Sequence, residues 1–139
     1  MSEYLSKEEV QALLDASPFS KFMGVRVESL DSAQDRLVVR MPMRPEIERH
    51  AGTGQLHGGA IAALIDLAGD YAIGMKVGGG VPTVNLRTDF LRPAMNSDLI
   101  ATAQVRRTGR TIAVVDIDVH DEEKRLIAVG RGTYVPKAG

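Results

Sequence analysis

The residues best equipped for chemistry fall in one stretch: His57-Gly58-Gly59, then Asp66 and Asp70. Gly58 to Lys76 reads as a helix that is apolar on nearly every side, and such a helix is normally buried. Carboxylates carried into those surroundings are costly unless they are paired, hydrogen-bonded or used. Asp66 and Asp70 stand four residues apart, so they project from one face. Nothing basic lies on this helix before Lys76. A cleft or a subunit interface therefore suits the pair better than open solvent. Asp66, between Ile65 and Leu67, is the stronger candidate for chemistry, and Asp70 reads first as a structural hydrogen-bonding residue.

Gly58 and Gly59 sit where the helix begins. The first N–H groups of a helix lack internal partners and carry the positive end of its dipole. Two glycines let a ligand approach that backbone, which can hold an anion or an oxygen becoming anionic. Equally, they could simply let the helix pack tightly on a strand. His57 has three possible uses: capping the turn, orienting a substrate, or acting as a base. The cap is the simplest. Thr83 opens an alternating strand, where a hydroxyl is ordinarily β-compatible surface.

Other chemistries find little support. The chain has no cysteine, which excludes a thiolate metal site and a cysteine nucleophile. His50, His57 and His120 show no metal-ligand spacing, so no metal and no cofactor are expected. There is no G-x-S-x-G elbow, and Gly78-Gly79-Gly80 lacks the Lys and Ser/Thr of a phosphate-cradling loop. A net charge of −1 and 4% aromatic residues argue against nucleic acid. No stretch approaches the length of a membrane span, and the N-terminus lacks a secretory pattern, so a cytoplasmic protein is expected. At 139 residues, one domain spanning 1–139 is expected.

The elements that must hold these residues can be sketched. Ser6 to Ala16 reads as a short helix with a Ser6/Glu9 capping box and a Leu5–Val10 staple, stopped by Pro18. Phe22–Leu30 and Arg36–Met43 read as strands around the turn at Asp31–Asp35. Arg44–Leu56 is a loop, and the long helix ends at the glycines after Lys76. Val84, Leu86 and Phe90 alternate with Asn85, Arg87 and Asp89, a strand period. Leu99–Arg107, Thr111–His120 and Leu126–Val135 follow as hairpin-linked strands. The expected fold is α+β: one curved antiparallel sheet wrapped around one long central helix.

Taken together, Gly54-x-x-His57-Gly58-Gly59 and Leu64-x-Asp66-x-Ala68 resemble the hotdog-fold acyl-CoA thioesterases of the phenylacetic acid degradation type. The likeness extends from Pro18-Phe19 and Gly24-Val25 through Leu91-Arg92-Pro93-Ala94, Arg107-Thr108-Gly109-Arg110 and Val129–Thr133. It implies hydrolysis of the thioester of an acyl- or aryl-coenzyme A. By match, the Gly58 N–H would polarise the carbonyl, and Asp66 would be the catalytic carboxylate, acting as general base or nucleophile. Thr83 matches a position whose hydroxyl aids the water or the acid, and His57 would hold the turn.

The resemblance also implies that the glycine turn and the acid of one site come from different subunits of a homo-oligomer, a dimer or a dimer of dimers (a homotetramer). One departure stands out. Many members carry Asn or Gln six residues before the motif histidine, where this chain has Ala51. His50, Thr53 or Gln55 could replace that amide, or the site relies on Gly58 alone. Arg92, Arg107, Arg110 and Arg131 are candidates for the phosphates of coenzyme A, with solvated surface charge as the alternative for each. Two other functions fit less well: a non-catalytic acyl-CoA sensing module, and an enoyl-thioester hydratase on the same fold.

Overall fold

The computed structural model describes residues 3–139. Six strands form one antiparallel sheet in the order β1-β2-β4-β5-β6-β3. They are β1 (Arg26–Asp31), β2 (Arg36–Met41), β3 (Thr83–Phe90), β4 (Leu99–Thr108), β5 (Ala113–Asp121) and β6 (Leu126–Tyr134). The long helix α3 (Gly58–Val77) packs across β2 to β6, and its Leu64, Ile65, Ala68, Ala72, Ile73 and Met75 are fully buried. Facing them are inward residues of β2, β4 and β5, among them Leu37, Val39, Leu99 and Ile117. Alternation of buried and more exposed residues along β4 and β5 keeps one sheet face on the helix and the other toward solvent. Among the described residues no helix is long and apolar enough to cross a membrane.

The helix α1 (Lys7–Ala16) carries the expected capping box: Glu9 N–H donates to Ser6 Oγ at 3.0 Å, and Ser6 N–H to Glu9 Oε1 at 2.9 Å. The expectation that Phe22 begins a strand is corrected. Pro18–Met23 form a second helix, α2, and β1 begins at Arg26. Ser17 caps α2, Pro18 occupies its first turn, and Gly24 ends it in the left-handed region at φ 71°. Proline with its fixed φ and missing N–H suits a helix start, so the residue that stops α1 also opens α2.

Close approach of α3 to β6 rests on glycines. A Cβ at Gly130 would meet Ile65 Cγ2 at 2.5 Å. A Cβ at Gly132 or Gly69 would meet the Tyr134 hydroxyl at 2.3 or 2.2 Å. The Tyr134 ring is thus held between helix and sheet, and its hydroxyl donates to the Asp66 carbonyl at 3.1 Å. Strand β3 lies at the sheet edge opposite β1 and is paired only with β6. Its alternation would suit a half-covered strand, yet Val84 and Phe90 are more than half exposed. They project from an edge that nothing within the described chain covers.

Candidate active site

The glycine turn is built from two loops stitched together. The Leu56 N–H donates to the Ala94 carbonyl at 2.9 Å, and the Asn96 N–H to the Gly54 carbonyl at 2.8 Å. Gly54 has φ 74°, and any side chain there would collide with Asn96. His57 then caps α3: its Nδ1 accepts the Gly59 N–H at 2.8 Å, and its carbonyl receives the N–H of Ala60 and Ile61. Among the described residues no acceptor takes the Gly58 N–H. Gly58 forms part of the wall of a cavity of about 360 Å³, together with Gln55, Arg49, Phe90, Arg92 and Ile61. The Phe90 ring lies directly over it, 3.4 Å from where a Gly58 Cβ would stand. A free amide at the positive end of a twenty-residue helix, facing a cavity, can donate to an oxygen that gains negative charge.

The acid lies elsewhere in the same chain. Asp66 is half-buried and borders a second, smaller groove of about 190 Å³ with Phe19, Ala63, Leu67, Asp70 and Tyr71. Its Oδ1 accepts the Thr83 hydroxyl at 2.8 Å, and among the described residues it has no cationic partner. A carboxylate held by one hydroxyl at the border of a groove is equipped to take a proton from water or to attack a carbonyl. Thr83 reaches it because β3 is irregular. Thr83 pairs with Tyr134, and a bulge separates that pair from Asn85–Thr133. Opposed residues share a face, so Thr83 turns to the helix side with Tyr134.

Asp70, one turn beyond, accepts the Val81 N–H at 2.7 Å. Burial, reinforced by the Asp66 charge and opposed by the Val81 bond, pushes its carboxyl up to about 6. Burial followed by the charges of Asp66 and Asp70 drives the Tyr134 hydroxyl pKa well up, so it remains a donor.

The structure thus brings Gln55, Gly58 and Arg92 together at one end of α3, and Asp66 with Thr83 farther along. Gly59 shares the turn, but its N–H is spent on His57. Gln55 supplies an amide at the cavity, whereas His50 and Thr53 bond to one another in an exposed turn. Arg107 and Arg110 lie on the β4–β5 hairpin, against the other end of α3, where Lys76 Nζ reaches Thr108 Oγ1 at 3.0 Å. Arg131 is occupied by Asp116, at 2.6 and 2.9 Å. The sequence reading missed Arg49 at the cavity and Tyr134 beneath Asp66. Gly130 and Gly132, two glycines within one strand, were the available signal, since they mark a close approach.

Comparison with known proteins identifies the family. Residues 53–128 match the thioesterase superfamily. A Halobacterium salinarum protein that carries an esterase name is 38% identical over 136 residues, spanning 90% of this chain and 88% of its own. The medium/long-chain acyl-CoA thioesterase YigI of Escherichia coli K12 is 26% identical over 97% of this chain and 99% of its own. Among solved structures, the PaaI protein of the E. coli phenylacetic acid degradation operon superposes with a TM-score of 0.80, at 28% identity and 96% coverage of each chain. With its antiparallel sheet wrapped around α3, the chain belongs to the thioesterase superfamily and has the hotdog fold.

Proposed function

We propose that the protein hydrolyses the thioester of an acyl-coenzyme A at a site shared between two copies. Gly58 and Asp66 are eight residues apart on one helix, about 12 Å along its axis. One thioester carbonyl cannot touch both within a single chain. The unpaired edge of β3 supports the alternative. If two β3 strands pair antiparallel about their common centre, Thr83 of one copy lies opposite Phe90 of the other. Phe90 covers Gly58, and Thr83 holds Asp66. The same pairing therefore carries Asp66 of the partner subunit toward the Gly58 amide and covers Val84 and Phe90.

In this reading the thioester oxygen sits at the Gly58 N–H, with the Gln55 amide as a second donor in place of the one missing at Ala51. Asp66 of the partner subunit either activates water for attack on the carbonyl carbon or attacks it itself to give a mixed anhydride that water then cleaves. In both routes the C–S bond breaks, and coenzyme A leaves as the thiolate and the acyl group as the free acid. Thr83 orients the acid, and His57 holds the turn. Arg92 and Arg49, at the cavity, are positioned for phosphates; the solvent-exposed Arg107 and Arg110 would reach them only from a neighbouring copy. A hydratase would need His57 as a base, and its Nδ1 is already spent on the helix cap. The YigI relative is named for medium/long-chain acyl-CoA, which supports testing those acyl groups first.

The observation that carries this reading is the free Gly58 amide near the Phe90 end of β3, whose outer edge is unpaired and whose Thr83 end holds Asp66. Asp66→Asn should retain the fold and lower kcat for thiol release from an acyl-CoA panel by at least about a hundredfold. Equal turnover by wild type and variant on every acyl-CoA would refute it.

A further inference from the structure

Asp70 is a partly buried carboxylate that the hydrolytic step does not use. Its surroundings contain Asp66 and Tyr71 on α3, Tyr134 on β6, and Ser17 and Ser20 at α2, with no cation among them. Its one hydrogen bond from the backbone comes from the segment that leads into β3. That segment follows Gly78-Gly79-Gly80, which impose little side-chain constraint on its path. On the sheet side it is held by backbone bonds, Val135 N–H to the Pro82 carbonyl at 3.0 Å and Gly139 N–H to the Gly80 carbonyl at 3.1 Å. On the helix side the holds are Asp70 to Val81 and Asp66 to Thr83, at 2.7 and 2.8 Å.

These two bonds form matched rungs. One helical turn, from Asp66 to Asp70, rises about 5.4–6 Å, and the two-residue step from Val81 into β3 at Thr83 spans at most about 6.6 Å in the opposite sense. A slip of one residue in the segment would turn the Thr83 hydroxyl away from α3. We propose that Asp70 is a positioning residue for the hydrolytic centre: by accepting the Val81 N–H it fixes the start of β3 against α3, so that Thr83 reaches the Asp66 carboxylate. The proposal rests on the reading of Asp66 as the catalytic carboxylate. The charged carboxylate is the stronger acceptor for that N–H, so the hold weakens once Asp70 is protonated. Its raised pKa brings that loss near pH 6.

The test uses the full-length chain, with acyl-CoA turnover measured from pH 5 to 9. It compares wild type, Asp70→Ala, Asp70→Asn, Thr83→Ala and the Asp70→Ala/Thr83→Ala double variant, and follows hydrogen exchange at the Val81 amide. Asp70→Ala should lower kcat about tenfold or more, leave KM within about twofold and speed Val81 exchange. Asp70→Asn, which keeps an acceptor oxygen and should fold even where the alanine variant does not, should restore kcat to within about threefold and move the acid limb to lower pH. The double variant should lose no more than Thr83→Ala alone, because Asp70 acts through Thr83. Multiplying losses, unchanged kcat in Asp70→Ala, or an unaltered acid limb in Asp70→Asn would overturn the proposal while leaving Asp66 in its role. No thiol release by wild type would overturn both.

Discussion

Two carboxylates one turn apart on α3 have opposite burdens. Asp66 borders a groove and keeps a single hydroxyl partner, whereas burial pushes the Asp70 carboxyl up to about 6. A carboxyl that rises from 3.8 to about 6 on folding binds its proton more tightly in the native state. Its contribution to stability therefore falls as pH rises from about 4 to about 6, and the cost above that range is up to about 3 kcal/mol. Asp70→Asn should accordingly raise Tm relative to wild type at pH 8, and that advantage should vanish by pH 4. Calorimetry of the two proteins across this range checks it, and a Tm difference independent of pH would contradict the burial argument.

At this scale the candidate residues, though not their chemistry, could be picked out from the sequence. An acid flanked by Ile65 and Leu67, and a histidine ahead of two glycines, are unusual enough in kind and spacing to be singled out. What escaped was long-range. Nothing local in the sequence says that Tyr134 passes beneath Asp66, or that Gln55 rather than His50 or Thr53 faces the cavity. Those outcomes depend on which loop is stitched to which.

The elements show the same division. α3 and the late hairpins follow from apolar periodicity and glycine punctuation, and their ends agree with the expected ones to within a residue or two. The segment Pro18–Met23 did not, because a proline after a serine is both a stop and a start, and a six-residue helix is too short to show a period. The bulge at Thr83 was equally invisible, since alternation presumes an unbroken ladder.

Helix-to-sheet spacing at β6 gives a prediction of its own. Alanine favours a helix interior over glycine by about 1 kcal/mol, yet at Gly69 its Cβ would lie 2.2 Å from the Tyr134 hydroxyl. Gly69→Ala should be destabilising by about 1–3 kcal/mol net. The loss should shrink when Tyr134→Phe removes the nearest atom. Denaturant unfolding of the single and double variants measures this, and a stabilised Gly69→Ala would show that the contact is not tight.

For the whole molecule, the decisive feature is the strand edge. The sheet edge opposite β1 leaves Val84, Phe90 and Leu91 more than half exposed along β3 and the turn after it. An uncapped edge with apolar side chains invites a second strand. Light scattering should accordingly find a dimer or a larger even assembly at micromolar concentration, and a fully active monomer would contradict the shared site.

Division of one site between two copies can be tested without knowing the acyl group that is preferred. Gly58→Pro deletes the proposed donor with little strain, because proline suits the first helical position and His57 before it is already extended, at ψ 135°. That copy retains Asp66, while an Asp66→Asn copy retains the Gly58 amide. Each variant alone should be inactive. Co-assembled in equal amounts, half of the dimers are mixed and each contains one intact site, so about a quarter of wild-type turnover should return. Mixtures no more active than the separate variants would show that Gly58 and Asp66 do not serve a common site across the interface.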